Sequence, residues 1–402
     1  MTKPNVLIMG LGYIGLPTGV LIAKHNIKVH GVDISPNVIE MINLGKIHIV
    51  EPGLEEIAKK VVESGYLRAN LEPAKSDVFI IVVPTPFKEG HNPDISYVES
   101  ATKAVIPYLV EGNLFIIEST SPVGTTEKIA EFIFSERPEL KDKIFIAYCP
   151  ERVLPGNVIY ELEHNDRVVG GINSISSEKA IEFYKNFVKG NLYKTDAKTA
   201  EMCKLAENSY RDVNVAFANE LSIICDKIGI NVNELIKFTN KHPRVKILKP
   251  GVGVGGHCIA VDPWFIVSEF ENEARLIRTA REVNDYKSEW VIEKIKISIK
   301  EFEYQFNKKP LIACMGISFK PDIDDLRESP ALHITQELIK NGFNVLIAEP
   351  NVKQHDSLKL MDYHQVIERS DLIVFLVAHK EFINLKIENK VILDFCGVNE
   401  KL

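Results

Sequence analysis

Residues 6–15 read Val6-Leu7-Ile8-Met9-Gly10-Leu11-Gly12-Tyr13-Ile14-Gly15, an apolar run that passes directly into glycines spaced G-x-G-x-x-G. The spacing predicts a buried strand, a tight turn and the start of a helix. In that setting each glycine has its own reason. Gly10 permits the turn, Gly12 lets main chain approach a pyrophosphate, and Gly15 lets helix and strand pack closely, with the phosphates at the helix N-terminus. A glycine after a first strand is, taken alone, equally well just a good turn. The further residue that decides is Asp33, eighteen positions past Gly15 at the end of the next apolar run. There a carboxylate accepts ribose hydroxyls and repels a 2′-phosphate. The reading is an NAD site, with Gly10, Gly12, Tyr13, Ile14, Gly15 and Asp33 as cofactor contacts.

Outward from this turn, apolar β-branched runs at 28–32, 78–83 and 114–118 alternate with helical segments, the pattern of a doubly wound parallel sheet. Two of the following loops, 83–86 and 119–126, lie at the carboxyl ends of strands, where such sheets bind ligands. Thr85, Thr120 and Thr126 are therefore either cofactor contacts or caps of the next helix. From 199 to 227 the period changes to 3.6, with Gly229 as a stop, and helix continues at 232–240 and 271–300. This middle stretch offers a wall for a second subunit. After Lys308-Lys309-Pro310 the alternation resumes, with strands expected at 311–316, 344–348, 372–377 and 391–394. The fold class is α/β: two Rossmann-like doubly wound parallel-sheet domains joined by a long central helix and a helical middle domain. The boundaries are 1–198, 199–300 and 301–402, with two ligand halves meeting in a cleft.

Composition narrows the function classes. With 402 residues, 45% hydrophobic and 26% charged, the chain is an ordinary globular protein of more than one domain. A net charge of −7 without a basic block argues against nucleic acid as partner. No stretch of 18 uninterrupted apolar residues is present, and residues 1–4 lack the shape of a secretion signal, so no membrane span and a cytoplasmic location are expected. The six cysteines are scattered without metal-type spacing, so neither a disulfide framework nor a metal site is expected.

Lys204, Asn208 and Arg211 recur at i, i+4 and i+7 of the central helix and share one face. Such a stripe is either a solvated face or the lining of a buried cavity. The apolar neighbours, from Met202 to Phe217, favour the cavity, where a lysine stabilises an oxyanion and an asparagine fixes an alcohol. Residues 251–258 read Gly-Val-Gly-Val-Gly-Gly-His-Cys. The glycines leave room for a ligand near the main chain and the Cys258 thiol, with the Asp262 carboxylate four residues on. Most cysteines are small buried hydrophobes, and that role suits Cys203, Cys225, Cys314 and Cys396. It suits Cys258 poorly, because a glycine loop packs no core. A cysteine nucleophile beside an NAD site points to oxidation past the aldehyde, through a thiohemiacetal and a thioester to a carboxylate, with two NAD used. Arg152, Arg244, Lys246, Lys249, Lys320 and Arg327 offer a local diphosphate site on a negatively charged protein, although each taken singly is better suited to a solvated surface.

Taken together, GLGYIG (10–15), ESTSPVGTTEK (118–128), YCPERVLPG (148–156), AEMCKLAENSYRDVNVAFANE (200–220), HPRVKILKPGVGVGGHCIAVDPWF (242–265) and GISFKPDIDDLRESPA (316–331) resemble the nucleotide-sugar 6-dehydrogenases over essentially the whole chain. The long forms look like the branch that acts on UDP-N-acetyl-D-mannosamine. The resemblance implies a UDP-sugar substrate, a homodimer or larger homo-oligomer, Cys258 as nucleophile, Lys204 as acid/base or oxyanion group, and Asp262 for water and protons. It implies that Asn208 holds the sugar oxygen, that Glu151 lies near the reacting centre, and that Arg152, Val153 and Leu154 contact the substrate. By the same likeness Arg211, His242 and Gly255 line the pocket, Arg244 reaches the nucleotide-sugar across a subunit interface, Phe319 and Lys320 meet the substrate, and Arg327 reaches the NAD. One position departs from the UDP-glucose branch: its second glutamate, four residues after Glu151, is here Pro155. Rival readings are the same chemistry on UDP-N-acetylglucosamine, a two-electron hydroxyacid dehydrogenase, and a non-catalytic sensor.

Overall fold

The run 6–9 becomes the centre of a sheet because every side chain in it is buried. The computed structural model describes residues 3–49, 51–153, 156–383 and 385–398. Two compact units divide the chain, 1–206 and 207–402. In the first, strands β1 (Val6–Met9), β2 (Val29–Val32), β3 (Leu67–Asn70), β4 (Val78–Ile81), β5 (Leu114–Ile117), β6 (Phe145–Tyr148), β7 (Arg167–Gly171) and β8 (Leu192–Asp196) form one sheet. Their order is β3-β2-β1-β4-β5-β6-β7-β8, parallel throughout except between β6 and β7. Alternate residues feed opposite faces: Val6, Ile8, Val78 and Ile80 enter one core, and Leu7, Met9, Phe79 and Ile81 the other. Helices cover both faces, which is why these strands read as continuous apolar runs.

Register places the functional edge. Met9 lies opposite both Val32 and Ile81, so the loops leaving β1, β2 and β4 emerge at one level. Strand order reverses between β1 and β4, and the crevice at such a switch point is where doubly wound sheets take ligands. The run at 28–32 shortens by one residue and that at 78–83 by two, while β3, β6, β7 and β8 were not expected from the sequence. β3 and β8 carry exposed polar side chains, and β7 opens on an arginine and closes on two glycines, so none of these three reads as an apolar run, whereas β6, Phe-Ile-Ala-Tyr, does.

The long helix Ala197–Ile228 is continuous for 32 residues. Gly229 ends it at φ +74, and the N–H of Ile230 returns to the carbonyl of Cys225. In the second unit follow helices Val232–Thr239, Asp262–Glu269 and Arg275–Phe306. The last begins four residues later than the pattern at 271 suggests. The short helix at 262 was not expected; Pro263 in its first turn is a favourable start. Strands β9 (Ile312–Met315), β10 (Val345–Ala348), β11 (Leu360–Met361), β12 (Leu372–Phe375) and β13 (Val391–Asp394) form an all-parallel sheet in the order β11-β10-β9-β12-β13. Its switch point lies between β9 and β12, matching that of the first sheet.

Candidate active site

At the first switch point the three glycines divide their labour. A Cβ on Gly10, at φ +95, would lie 2.4 Å from the carbonyl oxygen of Val82, and one on Gly15 would lie 1.9 Å from that of Gly10. Neither position tolerates a side chain. A Cβ on Gly12 would meet nothing within 4 Å, so an open face of main chain remains there. Asp33 accepts from the Leu11 N–H at 3.0 Å and the Ser35 N–H at 2.9 Å, which holds the acid beside the turn. Tyr13 is exposed and Ile14 half-buried. An open glycine face with an acid at the end of the second strand fits NAD.

The neighbouring loops are braced by Ser119, whose hydroxyl accepts from Val83 N–H and donates to the Val83 carbonyl. Thr85 and Thr120 are half-buried beside this brace. Thr126 is buried, and its N–H and hydroxyl both donate to Glu201, whose other carboxylate oxygen accepts from Gly124 N–H. Neither expected role describes this arrangement fully. Glu201, from the long helix, caps the helix Thr125–Glu136 in place of a local threonine. Burial raises the Glu201 pKa against the hydrogen bonds from Thr126 and Gly124.

Beyond β5, β6 and β7 the first unit buries an ion cluster. Arg167 lies 3.7 Å from both Glu118 and Glu151, donates to the Leu162 carbonyl at 3.3 Å, and stacks over Tyr184. The Tyr184 hydroxyl donates to Glu118 at 2.6 Å. Spacing does not announce the cluster, although an arginine directly before the apolar pair Val168-Val169 is a signal for it. Above it, Lys204 Nζ donates to the Glu151 carbonyl at 2.7 Å, so two expected site residues meet. Arg152 donates to the Asp166 carbonyl at 3.4 Å, Val153 packs on the core, and Leu154 lies outside the described residues, as does Pro155.

Burial moves Glu118 from 4.5 up to about 7, with Glu151 pushing the same way and Arg167 and Tyr184 opposing. Because the folded state holds this proton more tightly than the unfolded one, the resulting stability is complete below about pH 4.5 and is lost as pH rises through about 7. Thermal unfolding of Glu118→Gln should therefore change less between pH 5 and pH 8 than that of the unaltered protein. Parallel Tm curves would refute it.

In the second unit Asn208 donates through Nδ2 to the buried Asp262 carboxylate. The N–H groups of Val261 and Asp262 both close on the Cys258 carbonyl, at 3.0 and 2.8 Å, so the half-buried cysteine enters the helix Asp262–Glu269 through a tight turn. The glycines before it leave less room for a ligand than their count suggests. Cβ atoms on Gly253 and Gly255 would run into Pro330, and on Gly255 and Gly256 into Phe319, at 2.8–3.1 Å. Their absence lets the 316–330 loop pack down. Lys320 is exposed, and Arg327 pairs with Asp325 while its carbonyl accepts from Gly256 N–H at 3.0 Å.

Arg211 is exposed on the long helix, as is Phe217, whereas Lys204 and Asn208 of the same stripe are half-buried. His242 and Arg244 stand exposed on a turn closed by Asn240, whose side chain bonds both the N–H and the carbonyl of Ile247. At the second switch point Glu349 accepts from the N–H groups of Ile317 and Ser318, as Asp33 does from Leu11. Here His379 covers the acid, donating to it through Nε2 at 3.1 Å while Nδ1 accepts from Asp322 N–H and Asn351. Asp322, His379 and Glu381 lie close enough to suit an ion, but both nitrogens of His379 are already engaged.

Known proteins are similar to this chain over nearly its whole length. Residues 4–188 match the NAD binding domain of the UDP-glucose/GDP-mannose dehydrogenase family, 198–286 its central domain, and 313–401 its UDP binding domain. The chain is 53% identical to a UDP-N-acetyl-D-mannosamine dehydrogenase of Campylobacter jejuni, over 98% of this chain and 99% of that one. It is 49% identical to an NDP-N-acetyl-D-galactosaminuronic acid dehydrogenase of Ralstonia nicotianae, over 98% and 96%. A solved UDP-D-ManNAc dehydrogenase from Pyrococcus horikoshii superposes with TM-score 0.89 at 38% identity, over 99% and 96%.

Proposed function

Because the chain belongs to the UDP-glucose/GDP-mannose dehydrogenase family and is an NAD-dependent dehydrogenase, we propose that it oxidises UDP-N-acetyl-D-mannosamine at C6 to UDP-N-acetyl-D-mannosaminuronate. The observation that carries this reading is the 53% identity, across nearly the full length of both chains, with a relative of that name. Residues 1–198 take the cofactor, 199–300 the chemistry and the dimer contact, and 301–402 the UDP-sugar, a division supported by the three matched segments.

NAD, when bound, supplies the hydride acceptor, and two molecules serve each sugar. Gly10, Gly12, Tyr13, Ile14, Gly15 and Asp33 hold it, with Thr85, Thr120, Thr126 and Arg327 as further contacts. Asn208, its Nδ2 already held by Asp262, presents Oδ1 to the C6 hydroxyl. At the aldehyde stage the Cys258 sulfur bonds to C6, and Lys204 steadies the resulting oxyanion. Loss of the second hydride leaves a thioester. Water adds to its carbonyl, the C–S bond breaks, and the products are a carboxylate and the free thiol. Asp262 and Lys204 handle the protons, since Pro155 offers none, and Glu151 holds Lys204 through its carbonyl.

Arg152, Val153, Leu154, Arg211, His242, Gly255, Phe319 and Lys320 hold the nucleotide-sugar, and Arg244 reaches it from the partner of a homodimer. An exposed apolar stripe on the long helix, Tyr210, Phe217, Ile224 and Ile228, supports that dimer. A nucleophilic thiol and five further free cysteines suit the reducing cytoplasm. None of the described helices is long and apolar enough to cross a membrane.

The identity to the Ralstonia protein supports a second reading, in which the hexosamine has another ring configuration. The test is NADH formed per molecule of limiting sugar, with UDP-N-acetylmannosamine, UDP-N-acetylglucosamine and UDP-N-acetylgalactosamine offered separately. Two NADH from the first alone is the expected result. Turnover of another epimer alone would move the substrate, and one NADH would end the thioester scheme.

A further inference from the structure

We propose that Asn219 is a positioning residue that sets the glycine loop 251–258 and with it Cys258, an inference that rests on reading Cys258 as the nucleophile. A loop with glycine at 251, 253, 255 and 256 has large backbone freedom, so its order must come from groups that grip the main chain. Asn219 Oδ1 accepts the Gly251 N–H at 2.9 Å, and the Ser288 hydroxyl donates to the Val252 carbonyl at 2.9 Å. Gly256 is held from the other side by the Arg327 carbonyl. Cys258 follows two residues on.

Asn219 is itself held by a buried relay. Its Nδ2 donates to Asn284 Oδ1 at 2.9 Å, and Asn284 Nδ2 donates to Asp212 Oδ1 at 2.8 Å. Arg281 donates to the same oxygen at 2.8 Å. Asp212 and Asn219 stand seven apart on the long helix, and Arg281, Asn284 and Ser288 stand three and four apart on the helix Arg275–Phe306, so each set shares a face. All five are buried. The direction of the relay is forced, because an ionised carboxylate only accepts and a backbone N–H only donates. Both amides between them must point one way.

That polarity makes isosteric tests possible. Asn219→Asp keeps the acceptor for Gly251 but sets two acceptors against each other at Asn284. Pairing it with Asp212→Asn would not repair this, because Arg281 and Asn284 both donate to the same Asp212 oxygen and an amide at 212 could serve only one of them. The experiment uses the full-length protein and iodoacetamide, with each cysteine followed by peptide mass spectrometry. In Asn219→Asp the alkylation rate of Cys258 should shift at least fivefold while the buried Cys225 and Cys314 stay protected. In the same variant kcat should fall about 10²-fold, the scale of a 1 Å misplacement, with little change in KM.

Unchanged Cys258 alkylation and kcat in Asn219→Asp would overturn the inference. So would labelling of Cys225 and Cys314 together with Cys258, which would make Asn219 a support of the whole fold. Should Cys258→Ser still release two NADH per sugar, the nucleophile reading would fail separately, and the alkylation pattern would still decide whether Asn219 sets the loop.

Discussion

Replacing Cys258 by serine should abolish uronate formation and lower turnover by on the order of 10⁴-fold or more, the scale seen when a nucleophile is removed. The side chain keeps its size, and the turn that closes Val261 and Asp262 onto the residue 258 carbonyl uses main chain only, so the fold should be untouched. What is lost is the sulfur. A serine hydroxyl is ionised far less readily than a thiol and forms an ester in place of a thioester. Carboxylate product measured against NADH checks it. A variant still giving two NADH per sugar at an ordinary rate would remove covalent catalysis from the scheme.

The second large effect belongs to a residue with no proposed contact to substrate. Arg167→Met should destabilise the protein by about 3–5 kcal/mol, because it leaves two buried carboxylates without their shared cation. For a unit of this size that corresponds to a fall in Tm of about 10 °C. Glu118 and Glu151 face the guanidinium from the segments that follow β5 and β6, and Tyr184 closes the remaining side. The deficit should be smaller at pH 5 than at pH 8, since protonation removes the charge that burial penalises. Adding Glu118→Gln should restore part of the loss. Scanning calorimetry of the three proteins at both pH values checks it, and an unaltered Tm at pH 8 would mean that the cluster is solvated. Lys204 rests on the Glu151 carbonyl, so turnover should fall with stability.

The cofactor half was legible because its determinants are local. Gly10 takes a positive φ that the turn itself demands, and the Cβ space of Gly15 is filled by the Gly10 carbonyl five residues before it, and such requirements are written directly in a sequence. The core strands β1, β4 and β5 were equally plain, since burial on both faces demands an unbroken apolar run. The strand at 192–196 was not, because none of its side chains is buried and nothing forces a pattern on it; that at 67–70 buries only Leu67 and Ala69, an alternation too short to stand out. The glycines at 253–256 carried a signal whose cause was misjudged. Their Cβ space is filled by Phe319 and Pro330, some seventy positions away, which no spacing rule reveals.

By itself the sequence determined the two nucleotide-type sheets, the long helix with its glycine stop, and the chemistry available at Cys258, Lys204 and Asn208. Each follows from residue type and short-range periodicity. Tertiary structure alone decided that Glu201 caps a helix about 75 residues before it, and that Glu118, Glu151 and Arg167 share one buried charge balance. It also decided that Asn219 reaches the main chain at Gly251. These are pairings of polar groups across distant segments. Their energy comes from burial, and burial exists only once the chain has folded.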